Sequence, residues 1–207
     1  MSYRQELETA KKAALAAGQI LIEQKNNLNK SIFSSNTDIK LEADIVAEKL
    51  IKKILTDETS FPILAEESGQ SSDQLSDIFW VVDPLDGTAN YSRNIPICCV
   101  SIALIKNMKP VLGVIYDFSN NDLYEGSVNT LAMQNGLEIK VSDISNQGEG
   151  ILITGLPNKT DYSDEALLKM VKDFQGWRKV RMIGSAAIGS VYICLLYTSP
   201  SPRDSGK

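Results

Sequence analysis

The sequence contains no histidine. That single absence removes Ser–His and Cys–His nucleophilic pairs, histidine-ligated zinc and imidazole general bases. Chemistry in this chain has to run on carboxylates, hydroxyls, lysine, tyrosine, cysteine or oxygen-bound metal. Cysteine is scarce: three in 207 residues, two of them adjacent at Cys98 and Cys99. Thiols so placed make neither a zinc site nor a disulfide framework, and they read as small buried hydrophobes in a reducing compartment. Positive charge is in deficit, with 21 Lys and Arg against 26 Asp and Glu and a formal net charge of −5. A mildly acidic chain is a poor general ligand for a nucleic-acid polymer or an anionic membrane, though it can still build a local anion site from cations and backbone N–H groups. Long apolar runs are missing, since nothing approaches the about 18 residues that suggest a membrane span. Met1 to Lys12 is charged where a signal peptide would be apolar. The expectation is a cytoplasmic protein with no membrane and no nucleic-acid partner.

What remains is an ordinary globular composition, 43% hydrophobic and 23% charged, long enough for one or two domains at roughly 150 residues each. Arg4 to Asn27 has Leu7, Ala14, Ala17 and Leu21 on one face and predicts an amphipathic helix. Ser31 to Asn36 reads as a polar break. Asp44 to Thr56 predicts a second helix striped by Val46, Leu50, Ile51, Ile54 and Leu55. Strands are predicted at Ile63–Ala65, Ile78–Val82, Cys98–Ile105, Val111–Tyr116, Leu123–Gly126, Glu138–Val141, Ile151–Thr154 and Lys179–Met182. Lys106 to Pro110 reads as a hairpin turn. Ser163 to Phe174 predicts a helix with Ser163 as N-cap, and another helix starts after Gly184. Two helices, then strands with hairpins, then alternation give a layered α+β fold with a largely antiparallel first sheet.

Three acidic groups stand out: Asp44, Glu66-Glu67, and Asp83 with Asp86. In Asp83-Pro84-Leu85-Asp86-Gly87-Thr88 a carboxylate ends a buried apolar strand, proline sets a tight turn, and a second carboxylate returns to the same side. Gly87 lets the backbone approach a ligand closely, and Thr88 offers a hydroxyl and an N–H at a helix start, where anions are favoured. Two carboxylates forced together repel by several kcal/mol at low dielectric, and a hard divalent cation cancels that. Oxygen-only ligands select Mg²⁺ over zinc. With Glu66-Glu67 at another strand end, the set points to phosphoryl transfer assisted by more than one cation. Glu67 by itself reads equally as an outer metal group or a solvated acid, and Asp44 by itself reads as a helix N-cap.

Leu64-Ala65-Glu66-Glu67-Ser68-Gly69 followed by Trp80-Val81-Val82-Asp83-Pro84-Leu85-Asp86-Gly87-Thr88-Ala89-Asn90-Tyr91 resembles the inositol monophosphatase family of Mg²⁺-dependent, lithium-sensitive phosphatases. Asp38 to Asp44, Pro96 to Leu104, Gly113 to Asp117 and Arg181 to Ala187 extend the resemblance over about residues 4 to 193. It implies a layered αβαβα, sugar-phosphatase-like fold and hydrolysis of a phosphomonoester, with inositol monophosphate or a similar polyol phosphate as substrate. It implies that Glu66, Asp83, Asp86 and the Leu85 carbonyl bind metal, with Asp44 further out or at a third ion. It implies that Thr88 and Glu66 activate the water. Substrate contacts would come from Asp86, Gly87 and Thr88, and from a second turn at Gly184, Ser185 and Ala186. A homodimer is possible on the same ground. Superfamily alternatives are a 3′(2′),5′-bisphosphate nucleotidase and a fructose-1,6-bisphosphatase. From another class, the alternative is a non-catalytic binding protein that keeps the fold.

One departure shapes the expected domains. The family continues past the Gly-Ser-Ala-Ala helix with a Trp-Asp motif whose Asp binds metal; here Trp177 is the only later Trp, and Arg178 follows it. The string from Leu195 to Ser205 resembles translated sequencing-adapter sequence. The expectation is therefore an N-terminal metal-binding part over 1–145, an incomplete C-terminal α/β part over 146–193, and a foreign or disordered tail over 194–207. A fragment of this kind is expected to be weak or inactive while its full-length parent is active.

Overall fold

Small side chains bring the first helix down onto a sheet. α1 (Arg4–Glu23) buries Ala10, Ala13, Ala14, Ala17 and Leu21 on one face. At Gly18 even a Cβ would meet the Tyr116 ring at 2.5 Å. The helix does not run on to Asn27: it ends at Glu23, and the one-turn α2 (Lys25–Leu28) follows Gln24. These elements belong to a computed structural model that describes residues 3–35, 39–71, 75–156 and 161–194. Its contacts divide the chain into two units, Met1–Glu138 and Ile139–Lys207.

The segment read as a polar break contains a strand. β1 (Ser31–Ser34) pairs antiparallel with β2 (Ile39–Leu41), and β1 is exposed at every position, so no alternation betrays it. α3 (Glu42–Glu58) follows. Then come β3 (Ile63–Ala65), β4 (Gly69–Gln70), β5 (Ile78–Asp86), the short α4 (Thr88–Ser92), β6 (Cys99–Lys106), β7 (Lys109–Asp117), β8 (Asp122–Ser127), β9 (Thr130–Gln134) and β10 (Leu137–Glu138). They form an eight-stranded sheet in the order β10-β9-β8-β7-β6-β5-β3-β4. Only the β3–β5 pair is parallel. The strand expected at Glu138–Val141 is the two-residue β10 instead, and β9 before it carried no sequence signal.

α1 and α3 pack on each other and on this sheet. Their core joins Leu21, Ile51 and Leu55 to Trp80, Val82, Ile102, Leu104 and Val114. Removing that much apolar surface from water, at about 25 cal/mol per Å², is what holds the layers together.

In the second unit β11 (Ile151–Thr154) and β12 (Lys179–Met182) pair in parallel, with α5 (Asp164–Phe174) in the connection. Ser163 caps α5 by accepting from the Ala166 N–H. α6 (Ala186–Cys194) contacts β11. The expected tail falls outside the described residues, apart from the Cys194 backbone closing α6. Among the described residues no helix is long and apolar enough to cross a membrane.

Candidate functional site

β5 pairs with β6 through Val82↔Ile102 and Asp83↔Ser101, and then next at Asp86↔Cys99. Three steps on β5 oppose two on β6, so one extra residue is inserted around Pro84. Side chains alternate along a strand, and an extra residue reverses the alternation. Val82 and Leu85 therefore both reach the core, and Asp83 and Asp86 both take the opposite face. Proline suits that position because it has no N–H to lose from the ladder. The strand thus runs on to Asp86 rather than ending at Asp83.

Gly87 follows with φ +93° and ψ 36°, a backbone conformation that side chains rarely adopt. A Cβ there would lie 2.7 Å from the Ile97 carbonyl oxygen. The turn delivers Thr88, whose Oγ1 lies 3.0 Å from both Asp44 Oδ1 and the Leu85 carbonyl oxygen. Asp44 sits on α3 and is 1% exposed. It is not an N-cap: Leu41 holds that place, and Asp44 Oδ2 accepts the Leu41 N–H at 2.7 Å. Burial pushes the Asp44 carboxyl up to about 6, against the pull of the Leu41 and Thr88 hydrogen bonds.

At the end of β3 the Glu66 N–H donates to the Val82 carbonyl at 3.0 Å, which fastens the Glu66-Glu67 turn to β5. The Glu66 and Asp83 side chains share a hydrogen bond. Burial, the adjacent Glu66 and Asp86 charges and that bond raise the Asp83 carboxyl to about 8. The Leu85 N–H opposes this by donating to Asp83 Oδ1 at 3.1 Å. Cys99 Sγ, itself buried, lies 3.8 Å from Asp86 Oδ2. Among the described residues no three Asp, Glu, Cys or His side chains are grouped closely enough to hold a metal ion. The donor set suits a hard divalent cation all the same, being oxygen only, with like charges close enough to share a proton where a cation would relieve them.

Glu67, left open by the sequence, points to neither bulk water nor Asp83; its carboxylate pairs with Lys40 of β2. Its N–H donates to Glu48 Oε2 at 2.8 Å. Glu48 was not among the expected site residues. The signal was present: it follows Asp44 by four residues, on the buried face that also carries Ala47, Ile51 and Leu55. A groove of about 540 Å³ along α3 is lined by Lys40, Glu48 and Glu67, but not by Asp83 or Thr88. Gly184, Ser185 and Ala186 lie in the second unit. There Gly184 has φ +71° and Ser185 Oγ accepts the Ile188 N–H at 3.2 Å, which fixes the start of α6.

A profile described as the Inositol monophosphatase family matches residues 2–196. A Nus factor SuhB of Xylella fastidiosa is 36% identical over 188 residues, covering 88% of this chain and 67% of that protein. A fructose-1,6-bisphosphatase/inositol-1-monophosphatase of Aquifex aeolicus is 34% identical over 192 residues, covering 88% of this chain and 70% of that protein. The solved inositol monophosphatase of Anabaena (Nostoc) superposes with a TM-score of 0.80 at 31% identity, covering 99% of this chain and 79% of that one. The α+β layering described above is the layering of that fold.

Proposed function

Since the chain belongs to the inositol monophosphatase family, a family of phosphatases, we propose that it hydrolyses a phosphomonoester of a polyol or sugar with Mg²⁺ as cofactor. The observation that carries this reading is the Glu66 turn fastened to Val82 of β5 beside the bulge that carries Asp83 and Asp86, with burial and the neighbouring carboxylates holding the Asp83 carboxyl up at about 8. Carboxylates packed this closely against their mutual repulsion suit a site made for cations. Glu66, Asp83, Asp86 and the Leu85 carbonyl would hold them, with Asp44 further out. Bound there, divalent cations make water nucleophilic near neutral pH and offset phosphate charge.

The chain's own groups divide the remaining work. The Thr88 hydroxyl has one proton to give and two acceptors at 3.0 Å, Asp44 Oδ1 and the Leu85 carbonyl. Donating to either leaves its lone pairs free to accept from a water, and Glu66 would take that water's proton. The Gly87 and Thr88 N–H groups and the Asp86 carboxylate would orient the phosphate ester. Proximity and orientation of this kind account for much of the acceleration in phosphoryl transfer.

Phosphate release from inositol 1-phosphate, adenosine bisphosphate and fructose bisphosphate separates the substrate classes. In each case Asp83→Asn abolishes Mg²⁺-dependent release and Mg²⁺ protection against heat. In EDTA above pH 8, where the Asp83 carboxyl is ionised, the same variant melts a few degrees higher than wild type, because about 1 kcal/mol of relieved repulsion moves Tm by about 2–4 °C in a chain of this size. An Asp83→Asn protein with near-normal turnover would remove Asp83 from the mechanism. The Nus factor name carried by several relatives favours a second reading, a non-catalytic binding role; it predicts no phosphate release from any of the three esters and no Mg²⁺ protection against heat.

A further inference from the structure

We infer that Glu48 is a positioning residue, which ties the Glu66-Glu67 turn to α3 and so sets where the Glu66 carboxylate stands against Asp83. The inference rests on the reading of Glu66 and Asp83 as cation ligands. Glu48 is 4% exposed, and an ionisable side chain is almost never buried so completely without a partner. Its partner is the Glu67 N–H, 2.8 Å from Oε2. That N–H needs one: β3 ends at Ala65, and the neighbouring Glu66 N–H already uses the Val82 carbonyl. Without that acceptor the backbone of the turn would have to move toward water.

The turn is therefore gripped from two sides, by β5 through Glu66 and by α3 through Glu67. α3 grips the opposite wall of the site as well, because Asp44, one helical turn before Glu48, bonds the Thr88 hydroxyl. Residues four apart share a helix face and are separated by about 6 Å along the axis. One rigid helix thus contacts both the turn that carries Glu66 and the start of α4 that carries Thr88. A positioning role of this kind depends on the reach of an acceptor oxygen and not on charge. Glutamine keeps the reach without the charge, and aspartate keeps the charge but falls one methylene short.

The test measures the Mg²⁺ concentration that gives half of the maximal heat protection, in the 207-residue chain and in Glu48→Gln and Glu48→Asp. Glu48→Gln stays within about threefold of wild type, whereas Glu48→Asp needs about 10–100-fold more Mg²⁺, the usual loss when a group supporting a metal ligand is removed. Val114→Ala, a core truncation on β7, lowers the melting temperature without moving the Mg²⁺ midpoint. A Glu48→Asp midpoint equal to wild type overturns the inference. So does a Glu48→Gln variant as impaired as Glu48→Asp, or a Val114→Ala midpoint shifted as far as that of Glu48→Asp. Wild-type protein that gains no protection from Mg²⁺ overturns the cation-ligand reading and the inference with it; protected wild type beside an unaffected Glu48→Asp overturns the inference alone.

Discussion

Thr88 shows how much one side chain can hold together. Its hydroxyl stands between a buried carboxylate on α3 and the carbonyl of the residue that closes the β5 bulge. Thr88→Ala removes both contacts and the acceptor offered to water. The rate should fall by about 10²–10⁴-fold, the range for loss of a group that assists proton transfer. Its Mg²⁺ midpoint should move little, since no proposed ligand is lost, and Thr88→Ser should restore most of the rate. Steady-state kinetics at saturating Mg²⁺ check this; a silent Thr88→Ala would end its role toward water. The carboxylates at this site were legible because Asp-Pro-Leu-Asp-Gly-Thr and Glu-Glu-Ser-Gly are local strings. The spacing of Glu48 from Asp44 marked its face of α3, but its partner, a backbone N–H nineteen residues away, is recorded by no local pattern.

Among the elements, those with a strong period or a clear cap were readable. Ile151–Thr154 falls where its β-branched run puts it, Lys179–Met182 matches its expected bounds, and Ser163 caps α5 as its position before an acidic first turn suggests. β1, β9 and β10 were not, because their mostly exposed residues lack an inward-facing apolar set. The extension of β5 through Pro84 escaped for a different reason: a bulge is defined by its partner strand. Gly18 is explained only by packing. A glycine inside a helix costs about 1 kcal/mol relative to alanine, yet here a Cβ would strike a Tyr116 ring whose hydroxyl is anchored to Asn121 Oδ1 at 2.9 Å. Gly18→Ala should therefore destabilise the chain, by about 1–3 kcal/mol as overpacked cores do. Urea denaturation decides the sign, and a stabilised Gly18→Ala would mean that α1 does not press on β7 this closely.

For the molecule as a whole, the strained acids set how stability responds to pH. Asp83 and Asp44 are raised to about 8 and about 6 from an ordinary 3.8. An unfolded chain gives up these protons near pH 4, while the folded chain keeps them until about 6 and about 8. Between those limits the native state binds more protons, so stability falls as pH rises. Protein in EDTA should thus melt at a lower temperature at pH 8 than at pH 5, and the gain from Mg²⁺ should be larger at pH 8. Scanning calorimetry across that range tests it, and a cation-free Tm that climbs from pH 5 to 8 would contradict the burial of these groups.

The large sheet finishes at both ends in strands of two residues, β4 on one side and β10 on the other. A border so short offers a passing chain only a couple of backbone groups to zip onto, which blunts the usual route to fibrous aggregation. If two copies do come together across these borders of the large sheet, side-chain surfaces offer them more than its two-residue end strands do.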